Sequence, residues 1–282
     1  MAGILSGLKN IGLGKLEDAK LYEEEVSNDK AVKAAAAKAP RPVAVMNEKD
    51  FIYDKSFTCP VCDHKFTSKV MKTGKARLLG MDLDLKPQYG GIDAVKYDVQ
   101  VCPNCKYAAL TSYFPTILNA QAKMIRENIS NQVHITIQNG EIYSYEEALE
   151  RYQLALACAL VKHAKDSEKA YVCLRYAWTI RGYRKSLSED TEEWKAQELE
   201  CIENALEGFI NARQKESLPI CGMDQNALDY LIAALAYQVN RDDIAAKMVS
   251  GILLSTTANS RMKDKARELK QLILDRHKKD NV

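Results

Sequence analysis

An α+β fold, predominantly α, is what this sequence predicts: a small β module built around paired cysteines, followed by a domain of antiparallel helical pairs. Three observations lead there. The motif Cys-Pro-x-Cys occurs twice, in FTCPVCDHKF at 57–66 and in VQVCPNCKYA at 99–108. Around these motifs, short stretches of alternating apolar and polar residues are separated by Pro, Gly and Asp, the pattern of strands and turns. Beyond Ser144 the apolar residues recur at helical spacing almost without a break.

The composition bounds the function classes. The 282 residues are 46% hydrophobic and 28% charged with a formal net charge of +2, enough for about two domains of roughly 150 residues each. Such a balance argues against bulk attraction to nucleic acid or a membrane surface. No leader pattern is visible, and no segment approaches the roughly 18 consecutive apolar residues of a membrane-spanning helix. A cytoplasmic protein is expected, in which the eight cysteines serve as metal ligands and buried thiols rather than disulfides.

Residues 1–46 form an N-terminal segment and an Ala/Lys/Pro linker. Ile4, Leu5, Leu8, Ile11, Leu13 and Leu16 are apolar at roughly helical spacing but interrupted by glycines, giving a weak amphipathic element. It could dock a partner or a membrane surface; packing on its own protein is the favoured expectation. The linker's helical part must stop before Pro40 and Pro42.

Residues 47–115 are the β module. Cys59, Cys62, Cys102 and Cys105 supply two Cys-x-x-Cys turns with residues 63–101 between them. Two such turns complete one tetrahedral site, and a spacer of that length fits two hairpins pinned together at their tips, a zinc-ribbon-like arrangement. One structural Zn²⁺ is expected. Iron is the alternative, because rubredoxin-type sites use the same turns; the basic run Lys65, Lys69, Lys72, Lys75 and Arg77 favours zinc. That run could also serve nucleic acid, but Asp82, Asp84, Asp93 and Asp98 cancel most of its field, and no aromatic stacking series accompanies it. A closed four-cysteine site leaves no position for water or substrate, so its expected role is structural and no catalytic residue is assigned. Replacing Cys102 by serine should then unfold 50–115 and spare the helical domain.

A candidate polar site lies between the knuckles at Asp82, Asp84 and Tyr89. Two carboxylates one residue apart on a strand face the same side, as a divalent-cation or acid/base site requires. Turns, however, use Asp to bond their own backbone, and no phosphate loop or nucleophile–His pair accompanies them.

Residues 116–143 connect, with a helical stretch TILNAQAKMIRENI and a following strand or loop holding His134, which is given no role. Residues 144–282 hold six helices, in SYEEALERYQLALACALVKHA, DSEKAYVCLRYAWTIRGYRKSL, TEEWKAQELECIENALEGFINARQ, DQNALDYLIAALAYQVN, RDDIAAKMVSGILLS and RMKDKARELKQLILDRHK, most introduced by Ser, Asp or Thr N-caps. Ala155, Ala159, Ala177, Ala233, Ala236 and Ala245 recur where helices would approach closely, which makes the domain tetratricopeptide-like, without a strict 34-residue period. Cys158, Cys173, Cys201, Trp178 and Trp194 read as packing residues, and Cys221 as the reachable thiol.

Taken together, FTCPVCDHKF, DLDLKPQY, VCPNCKYA, ALERYQLALACAL, CLRYAWTIRGYR and YLIAALAYQVNRDDIAA resemble, in order and spacing, the motifs of the bacterial domain of unknown function 2225 family. The resemblance covers about 50–255. It implies a zinc-ribbon-like N-terminal part and a tetratricopeptide-like C-terminal part, and no known reaction. Such knuckles usually carry Gly after the second cysteine; here Asp63 and Lys106 stand there, and strain is expected at the second. The function expected is that of a non-catalytic adaptor whose helical groove takes a protein or peptide partner, with a nucleic-acid-associated protein as the alternative.

Overall fold

The computed structural model describes residues 12–14, 47–137 and 139–280. Strands come first. A hairpin of β1 (Ile52–Thr58) and β2 (Lys65–Met71) is followed by β3 (Leu78–Met81) with β4 (Pro87–Tyr89), and by β5 (Val99–Val101) with β6 (Ala108–Leu110). All three pairs are antiparallel and two-stranded. The first is in full register from Ile52 opposite Met71 to Thr58 opposite Lys65, so the first cysteine pair sits in its turn. The third pairs Val99 with Leu110 and Val101 with Ala108, which puts the second cysteine pair in the corresponding turn.

The expected connector helix is shorter than the sequence suggested. Helix α1 spans Asn119–Ile125 and continues as one π-helical turn, Arg126–Ser130; the stretch containing exposed His134 has no regular structure. All six C-terminal helices are present: α2 (Tyr145–Val161), α3 (Asp166–Ser186), α4 (Glu192–Lys215), α5 (Gln225–Gln238), α6 (Asp242–Leu254) and α7 (Ser260–Asp280). Each packs on the next, α3 on α4 most extensively, and short connections make consecutive neighbours antiparallel. The six spaced alanines are all buried.

Side-chain caps set the start of four of these helices, α7 among them, where Asn259 Oδ1 accepts from Met262 N–H at 2.9 Å. Ser144, Thr191 and Asp224 accept from the backbone N–H three residues on, whereas Lys165 and Arg241 precede α3 and α6 with no side-chain cap. At Ser144 the Glu147 carboxylate reaches back to the Ser144 N–H at 2.7 Å, closing a capping box. Ser144→Ala is expected to lower stability by about 1 kcal/mol, read from the denaturant midpoint at unchanged slope.

One core runs through both parts. All six residues of β5 and β6 are buried, and their hairpin lies on α2, so the largest cluster joins Val99, Val101 and Tyr107 to Leu154, Cys158 and Leu206. Phe51, Ile52, Ile92, Tyr97 and Tyr143 form a smaller cluster. Between the parts, Gly182 of α3 allows close approach: a Cβ there would meet Asp93 Oδ2 at 2.6 Å and Tyr145 Oη at 2.7 Å. Cys158, Cys173, Cys201 and Trp178 are buried as expected, and Trp194 packs edge-on against Tyr183 at 5.1 Å.

The amphipathic N-terminal element and the linker lie outside the described residues except at Gly12–Gly14. There Leu13 is only 3% exposed, within the main core. Gly12, at φ +89°, passes so close to Gln132 that a Cβ would lie 2.5 Å from its carbonyl oxygen.

Candidate metal centre

Both knuckles are built by the same backbone pattern. In the first, Cys59 N–H donates to the His64 carbonyl at 2.9 Å and Asp63 N–H to the Cys59 carbonyl at 2.9 Å; in the second, Cys102 N–H donates to Tyr107 at 2.9 Å and Lys106 N–H to Cys102 at 3.0 Å. Each loop therefore curls its two sulfurs to one side. Closing it forces the residue after the second cysteine into the left-handed region, Asp63 at φ 59° and Lys106 at φ 63°. Glycine is the residue that occupies such a position without steric cost. Lys106→Gly is expected to stabilise the protein by roughly 0.5–1 kcal/mol in thermal unfolding, because a side chain in that region costs about 1–2 kcal/mol and glycine's added chain entropy offsets part of the gain.

The four sulfurs of Cys59, Cys62, Cys102 and Cys105 lie within 4.8 Å of one another. Cys59 Sγ is 3.5 Å from Cys105 Sγ, and Cys62 Sγ is 3.6 Å from Cys102 Sγ. A tetrahedral ion with bonds near 2.3 Å would set its sulfurs about 3.8 Å apart, so the donor set fits a single metal ion. Polar hydrogens face the sulfurs: Val61 N–H points at Cys59 Sγ and Asn104 Nδ2 at Cys62 Sγ, each at 3.5 Å. Cys59, Cys102 and Cys105 are buried, and Cys62 is at the rim.

The electrostatics point the same way. Hydrogen bonds from Cys105 and then Cys59 hold the Cys102 thiol down at about 2, while bonding to Cys102 pushes Cys59 up to about 12 and Cys105 higher still. One thiolate is stabilised by its protonated neighbours. Four thiolates this close repel strongly, and a divalent cation is what allows all of them to ionise together.

The centre is held from below and from the side. Cys158 Sγ of α2 accepts from Ala108 N–H at 3.3 Å, directly beneath the second knuckle. Arg126 of the π-helical turn donates to the Val61 carbonyl, and Ser130 Oγ donates to the Cys105 carbonyl at 2.8 Å. One turn of chain thus grips both knuckles. The rings of Phe57, Phe66 and Phe114 pack at 5.8 Å from one another beside it.

The candidate polar site has a different geometry from the one expected. Asp82 and Asp84 lie in the turn after β3, not on a strand, and their carboxylates converge on Arg181 of α3. Arg181 Nη2 meets Asp84 Oδ2 at 2.7 Å, Nη1 meets Asp82 Oδ2 at 3.1 Å, and Nε meets Glu198 Oε1 at 2.6 Å. Burial works against the arginine's charge, and the Asp84 and Glu198 carboxylates more than offset it. Gln88 Nε2 donates to Asp82 at 2.9 Å. Asp84, fully buried, therefore serves as the counter-ion of an arginine joining the two parts. Tyr89 stays apart, paired with Leu78 across β3–β4 and packed on the smaller core cluster.

Cys221, expected to be reachable, is partly exposed; burial pushes its thiol up to about 11. The basic run is partly spoken for, since Lys69 pairs with Asp54 at 2.7 Å and Lys72 Nζ donates to the Asp50 carbonyl at 3.0 Å. Among the described residues no helix is long and apolar enough to cross a membrane.

The sequence is similar to those of known proteins. A family model described as an uncharacterized protein conserved in bacteria (DUF2225) matches residues 52–273, which takes in the four cysteines and nearly all of the helices. An uncharacterized protein of Borreliella burgdorferi is 26% identical over 162 residues, 50% of this chain and 56% of that protein. The chain thus spans about half the length of this curated relative. No solved structure matches.

Proposed function

The chain belongs to the DUF2225 family of bacterial proteins, and from that premise we propose that it is a non-catalytic cytoplasmic adaptor, stapled by one Zn²⁺ on Cys59, Cys62, Cys102 and Cys105, that takes a protein or peptide partner. Four sulfurs fill a tetrahedral ion, so no position is left for a substrate, and the ion's contribution is to hold the hairpins. Helices α2 to α7 pack in succession, the arrangement along which helical-repeat domains take extended partner segments.

The observation that carries the partner reading is on β3. Leu78, Leu79 and Met81 are 44%, 51% and 45% exposed, three large apolar side chains within four residues of an edge strand. A strand of this kind is a template for pairing with another chain. Leu79→Asp is expected to leave the melting temperature unchanged and to remove a partner recovered by affinity pull-down from bacterial lysate. Loss of that partner on nuclease treatment would instead favour the nucleic-acid reading. Elemental analysis is expected to give about one zinc per chain; coloured, iron-loaded protein would move it to the electron-transfer class, and metal-free folded protein would discard the staple.

A further inference from the structure

Strand β3 is open on one side. Its backbone pairs with β4 alone, and all of its residues are exposed. Arg77 C=O accepts from Gly90 N–H at 3.0 Å, and Asp82 N–H donates to the Lys86 carbonyl at 2.8 Å, so the residues flanking the strand face β4. Backbone groups alternate in direction along a strand. Leu78 and Met81 therefore turn their N–H and C=O to the open side. Both can do so because the register shifts between Leu78 and Gly80, with Leu79 as the extra residue. Pro87, opposite Met81, has no N–H to offer it in any case. Free backbone donors and acceptors thus stand beside the exposed side chains of Leu78, Leu79 and Met81.

The free charges flanking this strand have one sign. Lys75 and Arg77 are exposed just before it, and among the described residues neither makes an ion pair. The carboxylates just after it are taken, Asp82 by Arg181 at 3.1 Å and Gln88 at 2.9 Å, and Asp84 by Arg181 at 2.7 Å. Size then selects the occupant. Four residues make an edge about 13 Å long, far less than the roughly 1,200 Å² of a stable subunit interface requires, so a single extended segment fits it better than a second folded surface. Antiparallel pairing, the slightly stronger kind, sets the segment's later residues beside Lys75 and Arg77. We propose that β3 receives a partner segment as a third, antiparallel strand, its apolar residues on Leu78, Leu79 and Met81 and its following carboxylates on Lys75 and Arg77. This rests on the adaptor reading and names the chemistry of the partner.

Selection from a displayed library of random twelve-residue peptides on the zinc-loaded full chain tests it, with the Leu79→Asp protein for counter-selection. Enriched peptides are expected to carry alternating apolar residues followed by Asp or Glu. The strongest of them, made synthetically, is expected to bind the Lys75→Glu/Arg77→Glu protein at least about fivefold more weakly and to lose affinity as salt rises. Methylating one alternate set of its amide nitrogens should abolish binding, and methylating the other set should not, as strand addition requires. Enriched peptides without acidic residues, or an affinity indifferent to the charge reversal, would overturn the proposal and leave the adaptor reading standing. No enrichment over the Leu79→Asp protein would overturn both. Binding of phosphatidylglycerol vesicles that Leu79→Asp abolishes, with no peptide enriched, would assign the face to a lipid surface instead.

Discussion

Replacing Cys102 by serine is expected to release the metal and to unfold the β module and the helices in one cooperative step. Structural zinc contributes on the order of 10 kcal/mol, comparable to the whole stability of a typical protein, about 5–15 kcal/mol. Taken alone, the sequence suggests that the helical part would survive. The continuous core changes that expectation: β5 and β6 are buried against α2, and Cys158 satisfies a backbone donor of the second hairpin. Far-ultraviolet circular dichroism and metal release should therefore change together. Helical signal that persists after the metal has gone, with proteolysis confined to 47–115, would restore the picture of two independent domains.

Arg181→Met is expected to cost about 3–5 kcal/mol, because it removes the positive partner from a fully buried Asp84 and leaves Glu198 only Arg184. For a chain of this size that corresponds to a fall of about 6–20 °C in melting temperature. Adding Asp84→Asn should return part of the loss, since the variant then lacks the stranded charge; a coupling energy above about 1 kcal/mol between the two sites would establish the pair. Simple additivity of the two substitutions would mean that Arg181 acts through packing alone.

What the sequence conveys here is local, and what it withholds is long-range. Helices α2 to α7 were legible because each repeats its apolar residues over several turns, and at Ser144, Thr191 and Asp224 an oxygen-bearing side chain marks the start. The caps at Lys165 and Arg241 carry no such mark, and α1 gives way to a π-helical turn that no periodicity announces. The four cysteines were legible as a set because their spacing carries the chemistry, and the positive φ at Asp63 and Lys106 follows from the same turn. The meaning of Asp82 and Asp84 was not legible, since their partner lies almost a hundred residues away on α3. A hint existed in Arg181 itself, a charge next to Gly182 in a stretch otherwise rich in buried residues. Arg126 and Ser130 gave no hint, because their bonds go to backbone carbonyls, which every residue has.

The grip of one π-helical turn on both knuckles has a consequence for biosynthesis. Cys62 and Cys102 are 40 residues apart, so at roughly 5–20 residues per second a half-built site waits about 2–8 s on the ribosome for its second pair of thiols. Arg126, Ser130 and then Cys158 must still emerge before the sulfurs are held at their final separation. A nascent chain arrested before residue 130 would offer the ion only two unclamped loops, whereas one arrested after α2 would offer the finished nest. Metal capture should therefore begin abruptly once α2, which ends at Val161, has emerged, with the π-helical turn and α2 as its precondition.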